Sequence, residues 1–217
     1  MSVTNEKTPV TAERLENGGG AAMVDCWRPP RTVVLVGLMG AGKTSVGRRL
    51  AQLLGLPFID SDTEIEAAAN ATIAEIFERE GEAAFRVGER RVIARLLTGP
   101  TMIMATGGGA FMDPRTRAEI RSASVSLWLR AELDVLVSRV ARRKTRPLLN
   151  QGNPQEILAR LIDLRYPVYA EADIVVDSRP GPTEATVQSA LDALRAYFDK
   201  EAAGAVPRDV VSKEAAS

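Results

Sequence analysis

The strongest chemical signal in this chain of 217 residues is a glycine-rich stretch that ends in a lysine and a threonine. Residues 37–44 read GLMGAGKT and match the phosphate-binding pattern G-x-x-x-x-G-K-[ST] at every specified position. Backbone N–H groups of such a loop point at phosphate oxygens, and the dipole of the following helix adds partial positive charge. The pattern therefore predicts that nucleotide phosphates are held by six consecutive residues: Gly40, Ala41, Gly42, Lys43, Thr44 and Ser45. In this pattern Lys43 reaches the β- and γ-phosphates, and the Thr44 hydroxyl binds Mg²⁺.

A pair of acids, Asp60 and Asp62, follows the apolar pair at 58–59. Beside a phosphate loop, Asp60 could hold Mg²⁺ directly or through water, and Asp62 could accept the proton of a substrate hydroxyl. The alternative is structural, because either aspartate could cap a helix that begins at Thr63. Taken alone, capping is the commoner role for such a pair.

Two arginines are candidates for binding a carboxylate. Arg86 lies in a helical pattern and could bind a carboxylate through two parallel hydrogen bonds. The alternative is a solvated helix arginine that pairs with Glu82 or Glu89. Arg165 is the second candidate, and its alternative role is a cation favoured by the dipole at a helix C-terminus.

A run of three glycines, 107–109, follows the apolar segment 102–105. Such a run lets the backbone approach a ligand closely, and it is equally typical of a flexible turn. The sequence leaves both interpretations open.

Five cations occur between positions 139 and 146 with no acid among them: Arg139, Arg142, Arg143, Lys144 and Arg146. A loop with proline and glycine follows, which indicates a basic lid over residues 142–154 that closes on a triphosphate and excludes water. The alternative is a solvated basic face. A nucleic-acid surface is disfavoured, because no aromatic residues alternate with the cations.

An alternation of strand and helix patterns is expected to position these residues. Strands are predicted over 32–36, 57–60, 101–106, 124–129 and 173–177. Helices are predicted over 43–54, 72–80, 82–97, 114–121, 132–143, 155–169 and 183–199. This order predicts a three-layer α/β/α fold with a five-stranded parallel sheet, in which ligands bind beyond the carboxyl ends of the strands. Residues 1–30 are expected to be a disordered leader, 31–200 a single domain and 201–217 a disordered tail.

Composition narrows the chemistry further. The formal net charge is zero, which gives no case for nucleic acid or an anionic membrane as a partner. The chain has no histidine, so acid–base chemistry must use Asp, Glu, Lys or a substrate group, and histidine-ligated zinc is excluded. The one cysteine, Cys26, rules out an internal disulfide and fits a reducing cytosol. No apolar run approaches the length of a membrane span.

Taken in order, these motifs resemble the shikimate kinase family over residues 32–198. The motifs are GLMGAGKTSVGRRLA, IDSDTEIE, IAEIFEREGEAAFR, TGGGA, RPLL and RYPVYAEAD. The resemblance implies a cytoplasmic enzyme with the P-loop fold of the nucleoside monophosphate kinases and a mobile lid. It implies transfer of the γ-phosphoryl group of ATP, with Mg²⁺, to the 3-hydroxyl of shikimate, a step toward chorismate and the aromatic amino acids.

The resemblance also implies roles on the nucleotide side. Asp60 matches the acid that supports Mg²⁺ through water, while Lys43 and Arg146 match cations that stabilise the transferring phosphoryl group. Two arginines are candidates for contacts with adenine: Arg139 and Arg179.

On the acceptor side, Asp62 matches the acid that bonds the substrate hydroxyls and serves as base. Arg86 and Arg165 match the pair that binds the substrate carboxylate. Gly107 and Gly108 match the backbone donors of the glycine loop.

Three other functions compete with this interpretation. A related kinase of gluconate or a nucleoside monophosphate is the nearest, but the sequence offers neither a phosphate clamp nor base contacts for a nucleotide acceptor. A nucleotide-dependent switch would be expected to carry an N-K-x-D segment, which the chain lacks. A nucleic-acid-binding ATPase is disfavoured by the zero net charge and the few aromatic residues. The chain is expected to act as a monomer, because no apolar stripe demands a partner.

Overall fold

The computed structural model describes residues 27–141 and 153–204. Within these ranges one sheet of five parallel strands has the order β2-β3-β1-β4-β5. The strands are β1 Thr32–Val36, β2 Phe58–Asp60, β3 Ile103–Ala105, β4 Ser124–Arg130 and β5 Ile174–Asp177. The predicted α/β fold is therefore confirmed, with β2 and β3 shorter than predicted.

The described part of the chain has seven α-helices, of which the first six lie between strands and the last follows β5. They are α1 Lys43–Leu54, α2 Ser61–Ala69, α3 Ile73–Leu97, α4 Pro114–Ala123, α5 Leu133–Ala141, α6 Pro154–Tyr169 and α7 Thr183–Ala202. Every side chain of β1 is buried, and successive side chains of a strand point to opposite faces, so both faces of the sheet are covered. None of the described helices is long and apolar enough to cross a bilayer.

α2 was not predicted as a helix, whereas the break in α3 was predicted. α2 is missing from the predicted helices, because only Ser61 and Ile65 of its nine residues are buried and its apolar periodicity is weak. The predicted interruption at residue 81 is confirmed: α3 is kinked at Gly81, whose φ of 80° and ψ of 169° are not helical. The kink separates the segment that carries Arg86 from the one that begins at the Thr72 capping box.

The first and the last described residues of the chain pack against each other. The Trp27 ring lies 6.1 Å from the Phe198 ring, and Arg31 forms an ion pair of 2.7 Å with Glu201. The residues just before β1 therefore pack against the C-terminal half of α7. α7 itself continues beyond residue 199, where the sequence pattern predicts its end. The remainder of the predicted leader and tail lies outside the described residues.

Candidate active site

The phosphate loop leaves β1 at the carboxyl edge of the sheet and enters α1, as predicted. Gly40 and Gly42 have φ values of 84° and 99°, a left-handed conformation that glycine adopts at little cost. Gly42 caps α1 without a side-chain hydrogen bond, which leaves the first N–H groups of the helix for an anion. The Lys43 ammonium donates to the carbonyls of Gly37 at 2.7 Å and Leu38 at 3.1 Å. The lysine side chain thus bonds to the backbone at the start of its own loop.

A cavity of about 330 Å³ opens over this loop. Its lining includes Gly40, Gly42, Lys43, Thr44, Ser45, Arg139, Ser178 and Gly181. Arg139 donates to the Ser178 hydroxyl at 2.8 Å and to the Arg179 carbonyl at 2.7 Å, so it joins the phosphate loop to the segment after β5. The Arg179 side chain is 83% exposed and lines another cavity, which shares Ser178 with the first. Of the two candidate adenine contacts, Arg139 lines the cavity over the phosphate loop and Arg179 does not, and contact of either with adenine stays a prediction.

The predicted lid falls almost wholly in the gap between the two described ranges. Arg146 lies outside the described residues, and its contact with the phosphates stays a prediction. Asn153 and Pro154, the last two residues of the predicted lid, instead form the N-terminal cap and first turn of α6.

Asp60 serves as a helix cap and as a neighbour of the phosphate loop at the same time. One carboxylate oxygen accepts a hydrogen bond from the Asp62 N–H at 3.2 Å, and the other accepts from the Thr44 hydroxyl at 3.1 Å. A hydroxyl and a carboxylate are ligands that suit Mg²⁺. No group of three or more acidic or cysteine side chains in the described ranges could hold a metal ion, so phosphate oxygens and water would have to complete its shell.

A second cavity of about 340 Å³ meets the first at Lys43 and Thr44, which line both. Its lining brings together the predicted base, the two arginines predicted to bind a carboxylate, the two predicted backbone donors and the acid predicted to support Mg²⁺: Asp62, Arg86, Arg165, Gly107, Gly108 and Asp60. Its apolar wall comes from Ile73, Phe77 and Phe85, which no motif in the sequence marks as site residues. One cavity for phosphates and one for an acceptor thus adjoin at the end of the phosphate loop.

The carboxyl group of Asp62 has a pKa raised from 3.8 to about 6. Burial is the largest cause, and the negative charges of Asp60 and Glu89 add to it, while Lys43 opposes it. The group is therefore mostly ionised at neutral pH and close to the pKa that suits a general base.

The two arginines reach the acceptor cavity from different helices. Arg86, on α3, forms ion pairs with Glu89 at 2.7 Å and with Glu82 at 3.0 Å. Arg86 therefore forms the predicted ion pairs and also lines the acceptor cavity. Arg165, on α6, donates to the carbonyl of Gly108 at 2.8 Å.

Glu89 is a site residue that the sequence suggests only as an ion-pair partner. Its side chain is 3% exposed and lines the acceptor cavity. One oxygen pairs with Arg86, while the other has no hydrogen-bond partner among the described residues. Burial raises the pKa of Glu89, and Arg86 opposes that shift. No motif in the sequence distinguishes this glutamate from a surface one.

The glycine run lies against the charged side chains of the acceptor cavity. A Cβ atom on Gly107 would lie 2.6 Å from an Asp62 oxygen, and one on Gly108 would lie 3.3 Å from Arg165 Nη1. A Cβ on Gly109, which is not among the predicted site residues, would lie 2.4 Å from Arg86 Nη2. The absence of side chains in the run thus leaves space for the charged groups around it, while close approach of its backbone to a ligand stays a prediction.

Comparisons of the sequence with known proteins all give the same family. A family model for shikimate kinase matches residues 39–195. A shikimate kinase of Paramagnetospirillum magneticum is 59% identical over 79% of this chain and 88% of its own length. One of Bradyrhizobium diazoefficiens is 53% identical over 84% of this chain and 88% of its own length.

Among solved structures, the shikimate kinase of Acinetobacter baumannii in complex with shikimate is 39% identical. It superposes with a TM-score of 0.73 and covers 76% of this chain and 93% of its own. The extent of these matches and the order of the motifs agree: the chain belongs to the shikimate kinase family.

Proposed function

We propose that this chain transfers the γ-phosphoryl group of ATP to the 3-hydroxyl of shikimate, giving shikimate 3-phosphate and ADP. One observation carries the proposal: the acceptor cavity holds a carboxylate with a raised pKa and two arginines along one run of glycines. Asp62 lies at the first glycine, Arg165 at the second and Arg86 at the third. This order suits a small molecule with hydroxyl groups at one end and a carboxylate at the other.

In the proposed reaction Asp62 accepts the proton of the 3-hydroxyl, and the hydroxyl oxygen forms a bond to the γ-phosphorus. The bond from that phosphorus to the β,γ-bridging oxygen breaks, and ADP leaves with the electron pair. Lys43, at the junction of the two cavities, neutralises charge on the β- and γ-phosphates. Arg146 is proposed to add a second positive charge from the lid. Positioning and charge neutralisation account for most of the catalysis in such a transfer.

Thr44 and Asp60 are the residues proposed to hold Mg²⁺, Thr44 directly and Asp60 through water. Their side chains are already 3.1 Å apart, next to the phosphate loop. When bound, the ion would neutralise charge on the phosphates.

The charges of the acceptor cavity favour a carboxylate over a nucleotide phosphate. Arg86 is already paired with Glu82 and Glu89, which neutralise part of its positive charge. The positive charge that Arg86 and Arg165 present to a ligand therefore suits a monoanion. The carboxylates of Glu66 and Glu89 also line the cavity and would repel a dianionic phosphate. A nucleoside monophosphate is thus the less suitable acceptor, while gluconate, itself a carboxylate, is the competitor that must be tested.

The test is a coupled assay of ADP release with Mg·ATP and four acceptors: shikimate, quinate, gluconate and AMP. Rapid turnover with shikimate alone is expected, because it matches both ends of the cavity. Turnover with gluconate or AMP and none with shikimate would overturn the proposal while leaving the phosphate-loop chemistry intact.

We further propose that the enzyme acts in the cytoplasm as a monomer, and binds neither nucleic acid nor membrane. Light scattering of the purified protein should give the mass of one chain.

A further inference from the structure

Tyr169, the last residue of α6, is fully buried beside the acceptor site but does not line its cavity. Its ring packs in a cluster of aromatic side chains, with centroids 5.9 Å from Trp128 and 6.3 Å from Phe111 and Tyr166. The ring is thus held among aromatic side chains, and its hydroxyl group makes a separate contact.

That hydroxyl donates a hydrogen bond to the carbonyl of Gly108. The same carbonyl accepts from Arg165 Nη1 at 2.8 Å. Arg165 and Tyr169 lie four residues apart on α6, and therefore on the same face of the helix. Burial raises the pKa of Tyr169 to about 12, against the influence of Arg165, so the hydroxyl stays protonated and remains a donor at neutral pH.

The neighbouring carbonyls of the glycine run are also tied to the protein. The Gly107 carbonyl accepts from the Ala110 N–H at 3.2 Å, and the Gly109 carbonyl accepts from the Met112 N–H at 3.0 Å. Gly108 differs in that both of its donors are side chains of α6. The orientation of the central peptide of the run therefore depends on these two side chains.

We infer that Tyr169 is a positioning residue of the acceptor site, which holds the Gly108 carbonyl together with Arg165 and so fixes both the glycine run and the guanidinium. The inference rests on the proposed function for its kinetic consequence. Without the hydroxyl, the carbonyl would depend on Arg165 alone. The guanidinium would then be drawn toward the carbonyl and away from an acceptor carboxylate, and acceptor binding would weaken while ATP binding would not.

Tyr166 offers a matched control on the same helix. Its hydroxyl also donates to a backbone carbonyl, that of Ala131, but it lines a cavity away from the acceptor site. Tyr169→Phe and Tyr166→Phe therefore remove the same group from the same helix and leave both rings in place. Only the first removes a contact with the glycine run.

The experiment measures KM for shikimate and for ATP, and amide hydrogen exchange of residues 106–112, in both variants and the unmodified protein. Tyr169→Phe is expected to raise KM for shikimate by about 5–20-fold, the effect of one lost buried hydrogen bond, with KM for ATP unchanged. It is also expected to speed exchange across the glycine run without any acceptor present. Tyr166→Phe is expected to do neither.

The possible failures are distinguishable. No turnover of shikimate by the unmodified protein would overturn the proposed function, and the exchange measurement would still test the role of Tyr169. Unchanged exchange and unchanged KM for shikimate in Tyr169→Phe would overturn this inference. Equal effects in the two variants, or a parallel rise of both KM values with a lower melting temperature, would show a general structural role and overturn it as well.

Discussion

Replacing Gly109 by alanine should displace the Arg86 guanidinium without straining the backbone. Gly109 has φ −100° and ψ −17°, which alanine adopts freely. The added Cβ would lie 2.4 Å from Nη2, 2.5 Å from Nη1 and 2.6 Å from Cζ of Arg86. Since these distances are well inside van der Waals contact, the guanidinium has to move. Its ion pairs with Glu82 and Glu89 would have to reorganise with it.

The expected rise in KM for shikimate follows from the hydrogen bonds that Arg86 would make to the acceptor carboxylate. A hydrogen bond to a charged group contributes about 1.5–3 kcal/mol. Since about 1.4 kcal/mol corresponds to a factor of ten, Gly109→Ala should raise KM for shikimate by about 10–150-fold. KM for ATP should stay unchanged, because Arg86 does not line the phosphate cavity.

The assay is steady-state ADP release with shikimate and ATP varied in turn, beside a thermal melt of each protein. Gly88→Ala is the matched control, because a Cβ at this position in α3 meets nothing within 4 Å. It should leave both KM values unchanged and stabilise the protein by up to about 1 kcal/mol, as alanine does in place of a helical glycine. An unchanged KM for shikimate in Gly109→Ala, with a normal melt, would refute the assignment of Arg86 to the acceptor carboxylate.

Four further predictions concern the base and the second arginine. Asp62→Asn should lower kcat by about two orders of magnitude or more, the scale of a lost general base, with ATP binding retained in calorimetry; near-normal turnover would exclude Asp62 as the base. In the unmodified enzyme, kcat/KM for shikimate should fall by about tenfold per pH unit as the pH drops below about 6, since protonation removes the base; a rate that is level down to pH 4.5 would contradict this. Because the pKa of Asp62 is higher in the folded state than its ordinary value of 3.8, its protonation favours folding, and that contribution is lost as the pH rises through about 6. Asp62→Asn should accordingly be more stable than the unmodified protein at pH 8 by roughly 2–3 kcal/mol and equally stable near pH 3.5, as measured by urea unfolding; equal stability at pH 8 would argue against the buried charge. Arg165→Lys should raise KM for shikimate, because lysine cannot reproduce a two-pronged hydrogen bond, and an unchanged KM would count against this residue as part of the clamp.

Local patterns allowed the positions of the phosphate loop and of α1 to be predicted well. The glycine loop and α1 have strong local signals, and α1 lies at its predicted bounds. The interruption at Gly81 was equally predictable, since glycine alone adopts that φ and ψ readily. α2 was not predictable from periodicity, because most of its residues face solvent and only its aspartate cap marks its start.

The acceptor side depended on contacts between residues distant in sequence. Arg86 lies within reach of Glu82 and Glu89 on its own helix, so a surface ion pair was a sufficient interpretation until the fold placed Gly109 against it. The role of Gly109 depends on the packing of α3 against the segment after β3. Sequence spacing contains no information on that packing.

In the proposed reaction two guanidinium groups bind the acceptor carboxylate while Asp62 receives the hydroxyl proton. The most direct test compares kcat/KM for shikimate and for its methyl ester, which keeps the hydroxyl groups and loses the negative charge. The unmodified enzyme should prefer the acid by about a hundredfold or more, the effect of losing charge-assisted hydrogen bonds to both arginines, and Arg165→Lys should reduce that preference. Equal kcat/KM for acid and ester in the unmodified enzyme would contradict the claim.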